Sequence, residues 1–193
     1  MSKVGILGGT FDPIHAGHLI TAQSVKEIRS LDKIIFVPAF ISPHKTDIRT
    51  AGAEHRLNML KLAIQGIEYY EWSDIEIKAE SVSYTVETLK YFRNKFEHLE
   101  LIIGYDNLIK FDTWKEPDEI IKLAALVVMK RNNTEEPKVK NKYFESAVFV
   151  DSPVVEISSS VIRERISNNL PVDFLVPLKV NKYIKETNLY KEQ

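Results

Sequence analysis

Short apolar runs alternate with helical periodicity along almost the whole chain, and this alternation constrains the fold more than any other feature. Residues 4–7 read as a brief buried strand, and residues 17–28 then place Leu19, Ala22, Val25 and Ile28 at helical spacing. Residues 33–37 (KIIFV) are β-rich and stop at Pro38. Leu57, Leu60 and Ile64 share one face of a helix predicted over 54–65, with Gly66 as its stop. The pattern continues with a strand at 70–77, a helix at 85–96 on Val86, Leu89, Phe92 and Phe96, and a strand at 99–103 before Gly104. Pro117 opens a helix that runs to Leu123. Strands at 126–129 and 147–150 and helices at 160–167 and 177–187 complete the series. Such alternation predicts βαβ units and an α/β fold with a mostly parallel sheet. These sheets take ligands at the carboxyl ends of their strands, so the residues just after each strand matter most for function. Residues 130–142 (KRNNTEEPKVKNK) read as a solvated loop between two strands of one sheet.

Composition narrows the chemistry. A chain of 193 residues, 44% hydrophobic and 27% charged, is large enough to bury a sizeable core as one domain spanning 1–193. With no cysteine it has no disulfides, thiolate metal site or Cys nucleophile. Its 26 Lys and Arg against 27 Asp and Glu argue against a general nucleic-acid surface, yet leave room for a local basic pocket. The apolar run at the N-terminus is too short for a signal-peptide core. No stretch approaches the roughly 18–20 apolar residues of a membrane span. The expectation is a soluble cytoplasmic protein that binds neither membrane nor nucleic acid.

The first strand ends in GGTFDPIHAGHL, residues 8–19. Gly8 and Gly9 allow a tight turn whose bare amides can approach a ligand, and the helix that follows favours anions at its start. His15 and His18 add N–H donors suited to phosphate. The glycines also read as an ordinary strand–helix turn. A metal site at the histidines would need a third ligand and i, i+4 spacing, and the sequence shows neither. The segment is neither a Walker A loop nor a G-x-G-x-x-G fingerprint. Near the C-terminus, Ile157-Ser158-Ser159-Ser160-Val161-Ile162-Arg163 sets hydroxyls and free amides at a helix start with Arg163 one turn in. Alone, that serine run reads as an N-cap.

Together the two segments resemble the nucleotidyltransferase superfamily of Rossmann-like, doubly wound proteins. Residues 10–18 match its T/H-x-G-H signature, and residues 157–163 its I-S-S-T-x-x-R motif, with Ser160 in place of the usual Thr. Three further segments resemble the bacterial nicotinate-nucleotide adenylyltransferases: Pro43-His44-Lys45, then Ser83-Tyr84-Thr85 running on to Leu89, then Ile103-Gly104-Tyr105-Asp106 followed by Thr113-Trp114. The resemblance spans nearly the whole chain.

It implies an enzyme that joins ATP and nicotinate mononucleotide, releasing pyrophosphate. ATP would meet Gly8, Gly9, Thr10, Phe11, His15, His18, Gly104, Asp106, Ser158, Ser159, Ser160 and Arg163. Nicotinate mononucleotide would meet Thr10, Phe11, His44, Lys45, Tyr84, Thr85 and Trp114. His18, His15, Lys45 and Arg163 would carry catalysis. Mg²⁺ would ride on the ATP phosphates with no protein ligand. Plainer readings stand beside these: Lys45 as a loop lysine, Trp114 as core, Asp106 as a helix cap, Tyr84 and Thr85 as a helix start. The Lys179, Lys182, Lys185 and Lys191 side chains read as a solvated face. Other functions that fit less of the sequence are phosphopantetheine adenylyltransferase, a cytidylyltransferase, a class I aminoacyl-tRNA synthetase and a nucleotide sensor without catalysis. Homo-oligomerisation is left open.

Overall fold

The computed structural model describes residues 2–41, 50–130, 140–153 and 155–191. Six strands form one all-parallel sheet: β1 (Lys3–Gly9), β2 (Lys33–Pro38), β3 (Tyr70–Trp72), β4 (His98–Gly104), β5 (Ala125–Lys130) and β6 (Val148–Asp151), in the order β3-β2-β1-β4-β5-β6. Eight helices connect or follow them: α1 (Ala16–Arg29), α2 (Ala53–Ile64), α3 (Ile75–Lys78), α4 (Thr85–Arg93), α5 (Tyr105–Ile109), α6 (Pro117–Leu123), α7 (Ser159–Ser167) and α8 (Leu178–Glu186). This is the doubly wound Rossmann-like order, which reverses direction between β1 and β4.

The continuous apolar runs follow from burial on both faces. Alternate residues of a strand point to opposite sides. Ile34 and Phe36 enter one core layer with Ala22, Val25, Leu60, Ile162 and Ile184, beneath α1, α2, α7 and α8. Ile35 and Val37 enter the other with Val86, Leu89, Leu108 and Ile120, beneath α4, α5 and α6.

Two expectations change. The strand predicted at 70–77 stops at Trp72, and Ile75–Lys78 turns into α3. β3 lies at the sheet edge and pairs only with residues 34–36, so nothing extends it. Asp74 then accepts the Lys78 amide at 2.8 Å and starts the helix, which still buries Ile77. On α1, Ile28 is 51% exposed; the inward face is Gly17, Ala22 and Val25. α2 ends as expected, with Gly66 at φ 88°. α5 was not foreseen; five residues show no full helical period.

The middle of β1 carries Gly5 because the core layer containing Leu31, Ile34 and Ile102 presses on the sheet there. A Cβ at Gly5 would come within 2.8 Å of both Ile102 Cδ1 and Leu31 Cδ1. Gly5→Val is expected to destabilise the fold by about 1–3 kcal/mol through overpacking, read as a lower urea midpoint at constant m-value. An unchanged midpoint would show that this layer relaxes around the added methyls.

Candidate active site

The sheet opens where its direction reverses. β1 and β4 pair only as far as Ile6 with Leu101. Beyond that point β1 stays with β2 up to Gly9 and Pro38, and β4 stays with β5 up to Gly104 and Met129. The last three residues of β1 and β4 thus part company and leave a crevice at the strand ends. Gly8 and Gly104 stand on its two sides, and a Cβ on either would meet nothing within 4 Å. Such a crevice is where doubly wound sheets hold ligands.

The loop after β1 is tightly folded. Phe11 adopts φ 49°, and its ring lies buried under Gly9, where a Cβ would touch ring carbons at 2.9–3.0 Å. Phe11 therefore offers a ligand its backbone, not its ring. His15 then caps α1 and His18 occupies the third helical position. The His15 backbone N–H donates to His18 Nδ1 at 3.2 Å, and the two imidazoles stack with centroids 3.6 Å apart. Because His18 Nδ1 accepts, the neutral ring carries its proton on Nε2. His18 can thus serve as an N–H donor without becoming a cation. His15 is only 6% exposed, and burial pushes its pKa down to about 4, so it too is neutral at pH 7.

The second motif docks on the first, some 150 positions away in sequence. Ser158 caps α7, its hydroxyl accepting from the Val161 amide at 3.3 Å and lying 3.1 Å from Ser160 Oγ. Ser159 Oγ donates to the Pro13 carbonyl at 3.0 Å. Arg163 donates to the Asp12 carbonyl at 2.7 Å. Both contacts hold the start of α7 against residues 12–13. The start of α7 therefore lies against the loop that enters α1, where the Ala16 amide donates to the Leu175 carbonyl at 2.8 Å and the His18 amide to the His15 carbonyl at 3.0 Å.

The remaining expected residues fall into a second group. Phe40 donates its amide to Ser83 Oγ at 2.9 Å, and Ser83 donates its own to the Ile41 carbonyl at 3.0 Å, joining the exit of β2 to the segment before α4. Tyr84 caps α4 through its backbone alone, and Thr85 is the first helical residue. Lys115 lies over the Tyr84 ring at 4.6 Å, drawing the Trp114 loop to the start of α4. Trp114 is half-buried and packs on Phe111 with centroids 5.1 Å apart, so it belongs partly to the core. Asp106 does not cap α5, whose cap is Gly104; it lies exposed in the first turn. His44 and Lys45 lie outside the described residues.

Sequence reasoning missed Arg56. Only 1% exposed, it donates to the carbonyls of Ala51 (3.0 Å), Thr10 (2.9 Å), Ala39 (2.6 Å) and Phe40 (3.0 Å). Its signal was a charge on the apolar stripe of α2, one turn before Leu60. Asp12, quoted in the motif but given no role, is 2% exposed, and its charge offsets the burial that works against the Arg56 cation.

Neutral imidazole donors, an arginine and two helix starts around a crevice suit a polyphosphate. The description of cytidylyltransferase-like proteins matches residues 6–165. The chain belongs to this family. It also belongs to the nicotinate-nucleotide adenylyltransferases within it. It is 43% identical over full length to the probable nicotinate-nucleotide adenylyltransferase of Clostridium botulinum. It is 43% identical to that of Dehalococcoides mccartyi, covering 99% of this chain and 98% of the relative. The fold superposes on Plasmodium falciparum nicotinic acid mononucleotide adenylyltransferase complexed with NaAD with a TM-score of 0.80, at 20% identity and 98% coverage of each chain. Among the described residues no helix is long and apolar enough to cross a membrane.

The buried state of His15 links stability to pH. Its folded pKa of about 4 lies below the unfolded value of about 6.5, so between them the unfolded chain binds more protons. Stability from this group is full above pH 6.5 and is lost as pH falls to 4, by about 3 kcal/mol. Urea midpoints of the wild type should fall more steeply from pH 7 to 4 than those of His15→Gln; parallel slopes would refute the assignment.

Proposed function

We propose that the chain transfers the adenylyl group of ATP to nicotinate mononucleotide, giving nicotinate adenine dinucleotide and pyrophosphate in NAD biosynthesis. The docking of α7 beside α1 at the β1–β4 crevice supports this reading most strongly, because it builds a polyanion site between two strand ends. Full-length similarity to relatives named for this activity supports the choice of pyridine nucleotide.

ATP lies along the starts of α1 and α7, and nicotinate mononucleotide along the loop after β1 towards α4. A phosphate oxygen of the mononucleotide attacks the α-phosphorus in line. The bond from that phosphorus to the bridging oxygen breaks, and pyrophosphate leaves. The nucleophile is already anionic at pH 7, so positioning and charge stabilisation do the catalysis. His18 donates from Nε2 to the α-phosphate, and the bond strengthens as charge accumulates. His15 donates to the neighbouring phosphates. Arg163, the hydroxyls of Ser158 and Ser160 and the α7 amides hold the polyphosphate. Ser159, its donor committed to Pro13, contributes its amide and lone pairs.

Gly8 and Gly9 let the chain approach the nucleotide closely, and the Thr10 and Phe11 amides face the reacting phosphate of the mononucleotide. Across the crevice, Gly104 leaves room for the ribose and Asp106 accepts from its hydroxyls. The pyridine ring lies against Trp114, its carboxylate at the start of α4 near Tyr84 and Thr85. His44 and Lys45 are assigned to the mononucleotide from the sequence alone. Mg²⁺ would accompany ATP and offset the charge of its phosphates, with no protein ligand assigned. The buried carboxylate of Asp12 is held at Oδ1 by Ala51 and Tyr190, and its Oδ2 faces Arg163 at 3.7 Å.

Pyrophosphate release from ATP, Mg²⁺ and nicotinate mononucleotide tests the assignment; turnover with phosphopantetheine instead would overturn it. In the same assay His18→Ala should lower kcat by roughly 10²–10³; an unchanged kcat would leave His18 a capping residue only. Trp114→Ala should raise KM for the mononucleotide by about tenfold, the loss expected for one aromatic stacking partner. An effect confined to ATP would remove Trp114 from the pyridine end.

A further inference from the structure

The carboxyl-terminal segment after α8 reaches back to the motif loop. Asn188 and Tyr190 both adopt left-handed backbone, at φ 50° and 65°. For a bulky aromatic this is unfavourable and persists only where the surroundings hold it. What holds Tyr190 is Asp12: the phenol donates to Asp12 Oδ1 at 2.6 Å, across 178 residues of sequence. Burial and the neighbouring carboxylate push the phenol well above its usual range, so it remains a donor at every working pH.

The hydrogen bonds around Asp12 show what this contact does. Oδ1 also accepts from the Ala51 amide, at a longer 3.2 Å. Oδ2 makes no hydrogen bond among the described residues and lies 3.7 Å from Arg163 Nη1. That nitrogen instead donates to the Asp12 carbonyl. Arg163 thus forms a long ion pair with the carboxylate while giving its hydrogen bond to the carbonyl. A buried carboxylate stripped of its shortest donor is strongly driven to find another. Among the described residues the cation nearest Oδ2 is Arg163, and a hydrogen-bonded pair would draw its guanidinium inward, away from the α7 start. Arg163, Tyr190 and Ser160 line one cavity of about 850 Å³, so the segment borders the space the guanidinium serves.

We propose that Tyr190 is a positioning residue for the ATP-phosphate site, acting through Asp12 to keep Arg163 directed at the nucleotide. This rests on the adenylyltransferase reading for the identity of the nucleotide. Tyr190 touches no substrate; it holds Asp12 Oδ1, so that Arg163 does not have to turn to the carboxylate for that bond.

The test uses the full chain and two readouts: ATP affinity by calorimetry without the second substrate, and KM for each substrate in pyrophosphate release. Tyr190→Phe keeps the ring and removes only the hydroxyl. It should weaken ATP binding and raise KM for ATP by about tenfold, the loss of one hydrogen bond to a charged group, with KM for the mononucleotide within twofold. Tyr183→Phe is the control. Its hydroxyl lies 2.9 Å from His55 Nδ1 and accepts from Asn58 at 3.3 Å, tying α8 to α2 without reaching Asp12. It should leave ATP affinity unchanged. Asp12→Asn keeps an acceptor for Ala51 and Tyr190 but removes the charge that competes for Arg163. In that background Tyr190→Phe should lose most of its effect on ATP. Equal effects on both substrates, no effect on ATP, an equal effect from Tyr183→Phe, or additivity with Asp12→Asn would each overturn the proposal. If the wild type binds ATP but does not use the mononucleotide, the functional reading fails, and the calorimetric comparison still decides the role of Tyr190.

Discussion

One buried guanidinium ties together the loops on which the site depends. Arg56 gives its N–H groups to carbonyls of the loop after β1, the exit of β2 and the chain entering α2. Parallel strands end without turns to close them, so their carbonyls and exit loops need partners from elsewhere. A planar donor with five N–H groups can serve several carbonyls at once, as a lysine cannot. The cost of burying its charge is reduced by Asp12, itself held by Tyr190 and Ala51. The crevice between β1 and β4 therefore opens in a rigid frame.

That frame bears on how a chain of nearly balanced charge could meet the polyanion proposed for it. The rings of His15 and His18 stack at the start of α1, with His18 Nε2 left as the N–H donor. Arg163 supplies a cation 3.7 Å from Asp12, whose other carboxylate oxygen is held by Tyr190 and Ala51. The start of α7 would add amides with no formal charge. Recognition then depends on aimed dipoles more than on net charge, which suits a reaction whose nucleophile and electrophile are both phosphates.

Much of this was legible in residue order. Periodicity located the six strands and most helices because the four central strands are buried on both faces and most helices on one. Edge strand β3 was overextended, because Ile75 and Ile77 alternate like a strand but pack from a short helix. Gly8, Gly9, His15, His18, Ser158 and Arg163 were recognisable because backbone access, imidazole donors and a capped helix start demand particular residue types. Arg56, Asp12 and Tyr190 were not assigned roles. Their partners are mostly backbone carbonyls or residues far away in sequence, and neither leaves a local pattern. Trp114 was legible as an aromatic in a polar loop, but not its partial burial against Phe111.

The sequence by itself determined the α/β class and carried the motifs by which the chain resembles its family, because apolar spacing and short motifs are local properties. Only the tertiary structure decided which motifs meet. Strand order sets where β1 and β4 separate, and the contacts from Ser159 and Arg163 to residues 12–13 bring α7 beside α1. The ring nitrogen that carries the His18 proton is likewise decided by a hydrogen bond to a backbone amide, which exists only once α1 has formed.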